Sequence, residues 1–396
     1  MDFDLDLADS VFRQEVRDFI AASLPPDLAE RVRRTAHPSR HDVTTWMGLV
    51  DSKGWSAVGW PAEYGGLGWS GMQRIIFEEE CMNADAPPQH FANIHSVGPV
   101  IYTFGDERQK ARFFGPLLSG AEIWCQGFSE PNAGSDLTSL STRAERQEEH
   151  YVVNGQKVWT SDAQEADWMF ALVRTDSAVA PHKGLSFLLI DMKSPGLTVR
   201  PIRMIDGSVV VNEVFFDDVR VPAWQLVGGL GQGWPIAKFL LSNERAFSAE
   251  VPLTKRDLRR IVKLAKSRRY GGATLWDDPL FRAKVVRFQV DLEALEFLML
   301  RVLAEGDHSA SRLSSLLKIP GSELRQRASE LMVEAMSSYG VTFYPSVYAC
   351  LDADSLPGPI EGQGIPEMFA YRRATTIYGG SNEIQRNIIA RMMLGN

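Results

Sequence analysis

The chain has 396 residues, of which 44% are apolar and 23% are charged, and its formal net charge is -8. This length and composition predict a globular protein of two or three packed units and argue against intrinsic disorder. The acidic balance argues against a nucleic-acid-binding or membrane-binding protein, since an anionic partner needs a basic surface.

The cysteines and the start of the chain exclude further classes. Cys81, Cys125 and Cys350 lie far apart and form no CxxC pair, so we expect neither a disulfide framework nor a zinc site, and we assign no metal ligands. The acidic start lacks the features of a signal peptide, and no apolar run is long enough to span a membrane. These features predict a cytoplasmic protein.

Residues 1–123 are predicted to form a helical N-terminal domain. Phe12, Val16 and Ile20 recur at helical spacing, and the segment "PPDLAE" is expected to end this helix and to begin the next one. The run Glu78–Glu80 is expected to be a solvated helix face, although one of its carboxylates could be drawn inward.

Residues 124–231 are predicted to form a small all-β domain. Short runs such as "GLSFLLIDM" and "VVVNEVFFDDVRVP" are rich in β-branched and aromatic residues and are separated by Gly, Pro and Asp. Asn154-Gly155 interrupts the alternating run "HYVVNGQKVWTS" and predicts a two-residue hairpin turn.

Residues 232–396 are predicted to form a helical bundle. Apolar residues recur at helical spacing in two stripes, one with Ile236, Phe239, Leu240 and Phe247 and the other with Val285, Phe288, Leu292, Leu295, Met299 and Val302. Residues 352–366 are too rich in Gly and Pro for a helix. A layout of helices, then strands, then helices favours a ligand bound where the layers meet.

Two segments of the β region carry residues suited to a bound cofactor. "CQGFSEPNAGSDLTSL" offers hydroxyls and backbone N–H groups to an anionic ligand, but it matches no P-loop or dinucleotide fingerprint, and a solvated turn is the alternative. In "KVWTS", an indole plane beside two hydroxyls suits a stacked heteroaromatic ring, while core packing of Trp159 is equally open.

These segments closely resemble signatures of the acyl-CoA dehydrogenase family. "GFSEPNAGSDL", "YVVNGQKVWTS", "VFFDDVRVP" and "IYGGSNEIQRNIIARMMLG" occur in that family's order and spacing across essentially the whole chain. The finer resemblance is to large subunits of the pimeloyl-CoA dehydrogenase type. The resemblance implies an α+β multidomain fold with a helical N-terminal domain, a middle β-barrel domain and a C-terminal four-helix bundle.

The function implied by the resemblance is FAD-dependent α,β-dehydrogenation of an acyl-CoA thioester. A carboxylate would remove the α-proton while hydride leaves the β-carbon for flavin N5, and an electron-transferring flavoprotein would accept the electrons. The implied cofactor-binding residues are Gln126, Phe128, Ser129, Gly134, Ser135, Trp159, Thr160, Ser161, Tyr378, Ser381 and Glu383. The implied substrate-binding residues are Ser135, Arg245, Gly379 and Gly380.

The position of the catalytic base is unusual. Many family members carry their catalytic glutamate where this chain has Gly379, whose backbone N–H could still donate to the thioester carbonyl. Some members, including isovaleryl-CoA dehydrogenases, carry the base on the helix that corresponds to "FLLSNERAF", which implies Glu244. On a helix this glutamate borders an apolar stripe with no basic residue on its face, and a bound acyl chain would raise its pKa. For an arbitrary glutamate, a solvated edge position is the alternative.

Other acid–base candidates are weaker. Glu130 stands where family members place a structural residue, and His90 and His95 show no carboxylate or serine partner in the sequence, so a hydrolase triad has no support.

The chain departs from the family at two places that usually complete the FAD site of a neighbouring subunit. "SRRYGGATLWDDPLF" lacks the usual spacing, and "EAMSSYG" has Glu334 where Gln is common and Ser337-Ser338 where two glycines are common. An added carboxylate and the loss of two close-approach glycines suit a diphosphate poorly. We therefore expect an α2β2 heterotetramer with a smaller homologous subunit, with a homo-oligomer as the alternative.

Two other functions stay open at this point. An acyl-CoA oxidase or flavin monooxygenase would share the fold and the cofactor, and a structural subunit of a heteromeric dehydrogenase would leave the chemistry to its partner. The intact "SEPNAGSD", "VWTS" and Glu244 argue against a silent subunit. The acyl group, whether linear, branched, cyclic or dicarboxylic, is not determined by the sequence.

Overall fold

The computed structural model describes residues 7–247, 249–267, 269–270, 272–304, 307–342 and 359–395. Within these ranges, the side chains of residues 243–247, 269–270, 304 and 307–314 lie outside the description. The predicted non-helical segment 352–366 falls partly outside it. Of its described end, Ile360–Gly362 forms a 3-10 helix, and Ile365 and Pro366 begin an α-helix.

The N-terminal part of the chain is helical, as predicted. Phe12, Val16 and Ile20 are buried on the first helix, and a proline begins the second, where its fixed φ and missing N–H are tolerated. The helices are α1 (Leu7–Ser23), α2 (Pro26–Arg34), α3 (Arg40–Ser52), α4 (Gly71–Asn83), a π-helix (Ala92–Val97), α5 (Gly98–Phe104) and α6 (Glu107–Ser119).

The expectation of a solvated Glu78–Glu80 face is wrong. Glu78 is half-buried, and burial raises its pKa to about 7. Glu79 and Glu80 are 6% and 5% exposed, because α4 packs against α1 and against a later helix of the chain. Arg13 Nη1 donates to Glu80 Oε1 over 2.9 Å, and Lys255 Nζ pairs with Glu79. Buried carboxylates of this kind are tolerated only with such partners.

The middle of the chain forms one eight-stranded sheet with the order β6-β7-β3-β2-β4-β5-β8, and β1 pairs with β4 in parallel. Its strands are β1 (Trp124–Gly127), β2 (Arg143–Gln147), β3 (His150–Ser161), β4 (Trp168–Arg174), β5 (Leu185–Asp191), β6 (Leu197–Ile202), β7 (Val211–Pro222) and β8 (Leu226–Val227).

The two faces of this sheet belong to two different hydrophobic cores. On β4, Phe170 and Leu172 pack with the N-terminal helices, whereas Met169 and Ala171 join residues of β3 and β7 in a separate cluster. This alternation follows from the two-residue period of a strand. Because β4, β3 and β7 share the second cluster, the sheet curls around its own interior.

The predicted hairpin turn at Asn154-Gly155 is wrong. The pair lies inside β3, where the register with β7 shifts between Val153 and Gly155 and forms a β-bulge. Asn154 Nδ2 donates to Asp218 Oδ1 over 2.9 Å across the bulge. The hairpin turn between β2 and β3 is made by Glu148 and Glu149 instead, with Glu148 at a φ of +52°.

Gly155→Ala is expected to lower the free energy of unfolding by about 1–3 kcal/mol. The glycine has a φ of +149°, and an added Cβ would lie 2.7 Å from the Cα of Thr142, which belongs to the backbone and cannot easily move away. Urea denaturation checks this result. Gly115→Ala is the matched control, because it lies in α6 with no atom within 4 Å of the added Cβ. Equal stabilities of the two variants would contradict the interpretation.

The C-terminal part is helical and contains both predicted stripes as far as they are described. The first stripe is buried at Ile236 and Leu240 and half-buried at Phe239, and the second is buried at all six predicted positions. The elements are α7 (Gly233–Phe247), α8 (Val251–Ser267), a short hairpin of β9 (Arg269–Tyr270) and β10 (Ala273–Thr274), α9 (Pro279–Ala304), α10 (Asp307–Met336), α11 (Ile365–Tyr371) and α12 (Asn382–Leu394). Helices α7, α8, α9 and α12 all contact α10.

Across the described part of the chain, every helix is too short or too polar to cross a lipid bilayer.

Candidate active site

A buried ion pair joins the loop after β1 to the end of β3. Lys157 Nζ lies 2.8 Å from Glu130 Oε1 and donates to the carbonyl oxygen of Phe128 over 3.1 Å. Val158 N–H donates to Ser129 O over 2.9 Å, which ties the two segments together a second time. The structure therefore brings together the predicted cofactor residues of the two segments, which lie about thirty positions apart in the sequence.

Glu130 is a structural residue, in agreement with the sequence analysis. Its carboxylate accepts hydrogen bonds from the backbone N–H groups of Ser141 and Thr142, at 2.7 and 2.9 Å. Burial alone would raise the pKa of Glu130, but the Lys157 ammonium and these donors lower the pKa to about 2. The carboxylate is thus held ionised and is unsuited to proton transfer.

Trp159 does not pack into a core, which excludes that alternative. Its side chain is 62% exposed and its backbone has a φ of +59°, an uncommon conformation for a residue of this size. Beside it, Thr160 is 1% exposed, and its Oγ1 is buried without a hydrogen-bond partner among the described residues. The exposed indole suits a flat ligand, whereas the buried Thr160 Oγ1 is not open to one.

The other predicted residues of this segment differ in their exposure. Phe128 is buried, Gln126 and Ser129 are half-buried, and Ser161 is exposed at the end of β3. Gly134 and Ser135 are also exposed, on the loop between β1 and β2. No described contact places these two against Trp159, so a part in ligand binding stays a prediction for them.

The glycine turn before α12 is open to solvent. Gly379 and Gly380 are exposed, with φ of +64° and +82°, a region that glycine enters without steric cost. Ser381 caps α12 by accepting a hydrogen bond from Ile384 N–H over 3.4 Å. Glu383 is exposed in the first turn, and hydrogen bonds from its own backbone N–H and from the Ser381 hydroxyl lower its pKa.

A cluster of charged and phenolic side chains lies behind this turn. Arg325 Nη1 donates to the Tyr378 hydroxyl over 3.0 Å and also forms an ion pair with Glu250. Lys318 Nζ donates to the carbonyl oxygen of Thr375 and lies 5.7 Å from the centroid of the Tyr378 ring. We refer to Lys318, Arg325, Glu250 and Tyr378 as the α10 cluster.

The sequence analysis assigned only Tyr378 of this cluster. Lys318 and Arg325 lie seven residues apart on α10, directly after the buried Leu317 and Leu324. Two basic residues at helical spacing beside a buried stripe could have signalled the cluster. The partner Glu250 could not have been found in this way, because it is 75 residues away in the sequence.

Tyr371 connects the sheet to the bundle. The ring centroid of His37 lies 4.4 Å from that of Tyr371, and His37 Nε2 lies 2.9 Å from Asp206 Oδ2 in the loop between β6 and β7. Tyr371 and Tyr378 have ring centroids 6.3 Å apart. Burial raises the pKa of Tyr371, and the charge of Asp162, next to Ser161, adds to that increase. The end of β3 and the glycine turn therefore border the same region.

His90 has a carboxylate partner that the sequence did not reveal. Its Nε2 lies 3.7 Å from Asp162 Oδ2, and its Nδ1 lies 3.0 Å from Asn93 Oδ1. The expectation that His90 has no carboxylate neighbour is therefore wrong. His95 lies in the π-helix, where burial lowers its pKa to about 4 and keeps the imidazole neutral.

Glu244 and Arg245 lie on α7, and their side chains are outside the described residues. The helix itself is well placed for the predicted role, because it contacts β5, the π-helix and α10 and so runs between the sheet and the bundle. Its Leu240 is fully buried, four residues before Glu244.

The two regions that depart from the family pattern have ordinary surface contacts. Glu334 is 42% exposed and lies 2.7 Å from Lys284 of α9. Ser337 has a φ of +53°, and "SRRYGGATLWDDPLF" includes the β9–β10 hairpin.

Within the described ranges, no group of three or more His, Cys, Asp or Glu side chains could hold a metal ion.

Comparisons with known proteins agree over the whole chain. Three domain families match: "Acyl-CoA dehydrogenase, N-terminal domain" over residues 8–121, "Acyl-CoA dehydrogenase, middle domain" over residues 125–219 and "Acyl-CoA dehydrogenase, C-terminal domain" over residues 231–394. The Mycobacterium tuberculosis acyl-CoA dehydrogenase IpdE1 is 37% identical over 393 residues, which cover 97% of both chains.

Two solved structures are similar over nearly their full length. One is described as "Tcur3481-Tcur3483 steroid ACAD" and has a TM-score of 0.85 and 28% identity over 100% of this chain and 99% of that chain. The other is the ChsE4-ChsE5 complex from Mycobacterium tuberculosis, with a TM-score of 0.83 and 30% identity over 100% and 99% of the two chains.

Proposed function

Because this chain belongs to the acyl-CoA dehydrogenase family of oxidoreductases, we propose that it catalyses FAD-dependent α,β-dehydrogenation of an acyl-CoA thioester, with Glu244 as the α-proton acceptor. The observation that carries the proposal is the exposed Trp159 indole beside the exposed Ser161 at the end of β3.

The described residues fit a flavin. An isoalloxazine ring is flat, aromatic and polar at its edges, so it can cover an exposed indole and form a hydrogen bond with the exposed Ser161 hydroxyl beside it. We propose that Gln126, Phe128, Ser129, Gly134, Ser135, Trp159, Thr160, Ser161, Tyr378, Ser381 and Glu383 bind FAD. When bound, FAD would supply the hydride acceptor at its N5.

The protein's own groups would carry the remaining steps. Glu244 takes the proton from the α-carbon, and the β-hydrogen leaves with two electrons, so that a 2-enoyl-CoA is formed. The backbone N–H of Gly379 donates to the thioester carbonyl oxygen and stabilises the negative charge that develops there. Ser135, Arg245 and Gly380 contact the substrate, and an electron-transferring flavoprotein accepts the electrons afterwards.

A ring-containing acyl group is the substrate class we favour. Gly379 leaves open the space that a glutamate side chain would fill, and one similar structure is described as a steroid enzyme. The finer likeness to pimeloyl-CoA dehydrogenase large subunits stays a prediction. If it holds, the substrate would carry a dicarboxylic acyl group instead.

The proposed assembly is a heterotetramer with a smaller homologous subunit. Val286, Val290 and Phe297 on α9 are 50%, 56% and 52% exposed and form an apolar stripe, which is typical of a surface that another chain covers. Glu334 and Ser337-Ser338 stand where family members complete a neighbour's FAD site. Both similar structures named above are described by pairs of proteins, which supports the same arrangement.

Purified alone, the chain is expected to contain well below one FAD per polypeptide, because it lacks the contacts that a partner would lend. Flavin absorbance per mole of protein measures this ratio, and co-expression with a smaller homologue from the same genome should restore it. A full complement of FAD in the isolated chain would refute the heteromer and leave the homo-oligomer.

A further inference from the structure

The α10 cluster contains a carboxylate and a phenol that are both partly exposed. Glu250 keeps 37% of its side chain exposed, and Tyr378 is 40% exposed, although Arg325 and Lys318 behind them are only 7% and 2% exposed. The buried Oε2 of Glu250 faces Arg325, so the exposed part of the carboxylate lies on its other side.

The two exposed groups have complementary hydrogen-bonding capacity. The Tyr378 oxygen already accepts from Arg325, so its own O–H proton remains to be donated, and none of the described residues accepts it. Burial raises the pKa of Tyr378, with a further contribution from the charge of Glu250, so the phenol keeps its proton. Glu250 in turn offers carboxylate oxygens, which accept hydrogen bonds.

The cluster is adjacent to the reacting end of the proposed substrate. A Cβ placed on Gly379 would lie 3.8 Å from Lys318 Cε, and Tyr378 is the residue before Gly379. Glu250 follows α7 and lies six residues after Glu244. An acyl chain that passes between Glu244 and Gly379 therefore has the α10 cluster beside it.

The backbone at Glu250 supports a functional interpretation. Its φ of +44° is uncommon outside glycine and costs free energy of folding, so a glycine would suit the position better if only the turn mattered. An ion pair that served stability alone would not need a strained residue with a partly exposed carboxylate.

We propose that Glu250 and the hydroxyl of Tyr378 bind a hydroxyl group on the acyl part of the substrate, with Arg325 and Lys318 as positioning residues. The part of Tyr378 assigned to the FAD site is then its ring, which Tyr378→Phe retains. The substrate hydroxyl donates to Glu250 and accepts from Tyr378, which a purely hydrocarbon chain cannot do. This inference rests on the proposed function and narrows its substrate to a hydroxylated acyl-CoA.

The test compares 3-cyclohexylpropanoyl-CoA with ring-hydroxylated derivatives that each carry one added hydroxyl. Calorimetry on the holoenzyme gives Kd for each, and anaerobic flavin reduction gives the rate constant of reduction. We expect a hydroxylated ligand to bind roughly 10- to 100-fold more tightly than the parent, since a hydrogen bond to a charged group contributes that much. Glu250→Gln and Tyr378→Phe should each reduce this ratio toward one.

Asp291→Asn is the matched control. The Asp291 side chain is 36% exposed and pairs with Arg327 of α10 at 2.6 Å. The substitution therefore removes a similar ion pair that lies away from the glycine turn. The control should keep the wild-type ratio of Kd values. If Glu250→Gln fails to fold because of the strained turn, Tyr378→Phe still tests the inference.

The outcomes separate the two proposals. Equal Kd values in the wild type, absence of binding by either ligand, or an unchanged ratio in both variants would overturn the hydroxyl site. Hydroxyl-selective binding without flavin reduction by any acyl-CoA would instead overturn the proposed dehydrogenase function.

Discussion

Glu244→Gln is expected to lower the rate constant of flavin reduction by acyl-CoA about 10²- to 10⁴-fold, the usual contribution of a positioned general base. Glutamine keeps the size of the side chain but cannot accept the α-proton, and Gly379 offers no replacement acid or base. Anaerobic loss of the oxidised flavin's visible absorbance measures the rate, and the absorbance before substrate addition confirms that FAD is retained.

Glu250→Gln is the informative comparison for this result, since Glu250 is another carboxylate beside the glycine turn. It should change ligand selectivity and leave proton abstraction to Glu244. If Glu250→Gln abolished flavin reduction while Glu244→Gln did not, the base would belong to the α10 cluster and the assignment to α7 would be wrong.

Lys157→Met is expected to lower the free energy of unfolding by about 3–5 kcal/mol. Lys157 is fully buried, and its loss leaves the ionised Glu130 inside the protein without a counter-charge. Because the pair joins the β1–β2 loop to β3, bound FAD should also decrease. Urea denaturation and flavin content measure the two effects, and adding Glu130→Gln to this variant should recover part of the lost stability.

Lys284→Met is the control for burial. Lys284 Nζ lies 2.7 Å from Glu334 Oε1, close to the 2.8 Å of the buried Lys157–Glu130 pair. The side chains of Lys284 and Glu334, however, are 55% and 42% exposed. An exposed pair contributes about 0–1 kcal/mol, so this variant should be close to the wild type. Similar losses in the two lysine variants would show that desolvation is not the cause.

The fold was predictable wherever apolar residues repeat regularly. Helix α1, the long α9 and the strands of the middle sheet follow from spacing, because a buried face imposes its period on the sequence. The bulge at Asn154-Gly155 did not follow, because the same dipeptide suits a turn or a bulge, and only pairing with a strand about sixty residues away decides between them.

The site was predictable where a short segment carries its own chemistry. The turn at Gly379 follows a motif that could be recognised directly, whereas the residue pattern left a buried Trp159 equally open. Buried charges were not predictable, because the sequence pattern treats Glu79 or Lys318 as solvent-facing, and their burial depends on partners from distant elements.

The exposed Trp159 ring has an energetic consequence. The unusual backbone at this residue keeps a large apolar surface in water, so the free protein does not use that surface to stabilise itself. Covering it would release up to about 3 kcal/mol. A ring that binds there would therefore gain hydrophobic free energy that the unliganded protein does not use. We expect the protein to be most stable when a ligand covers the end of β3.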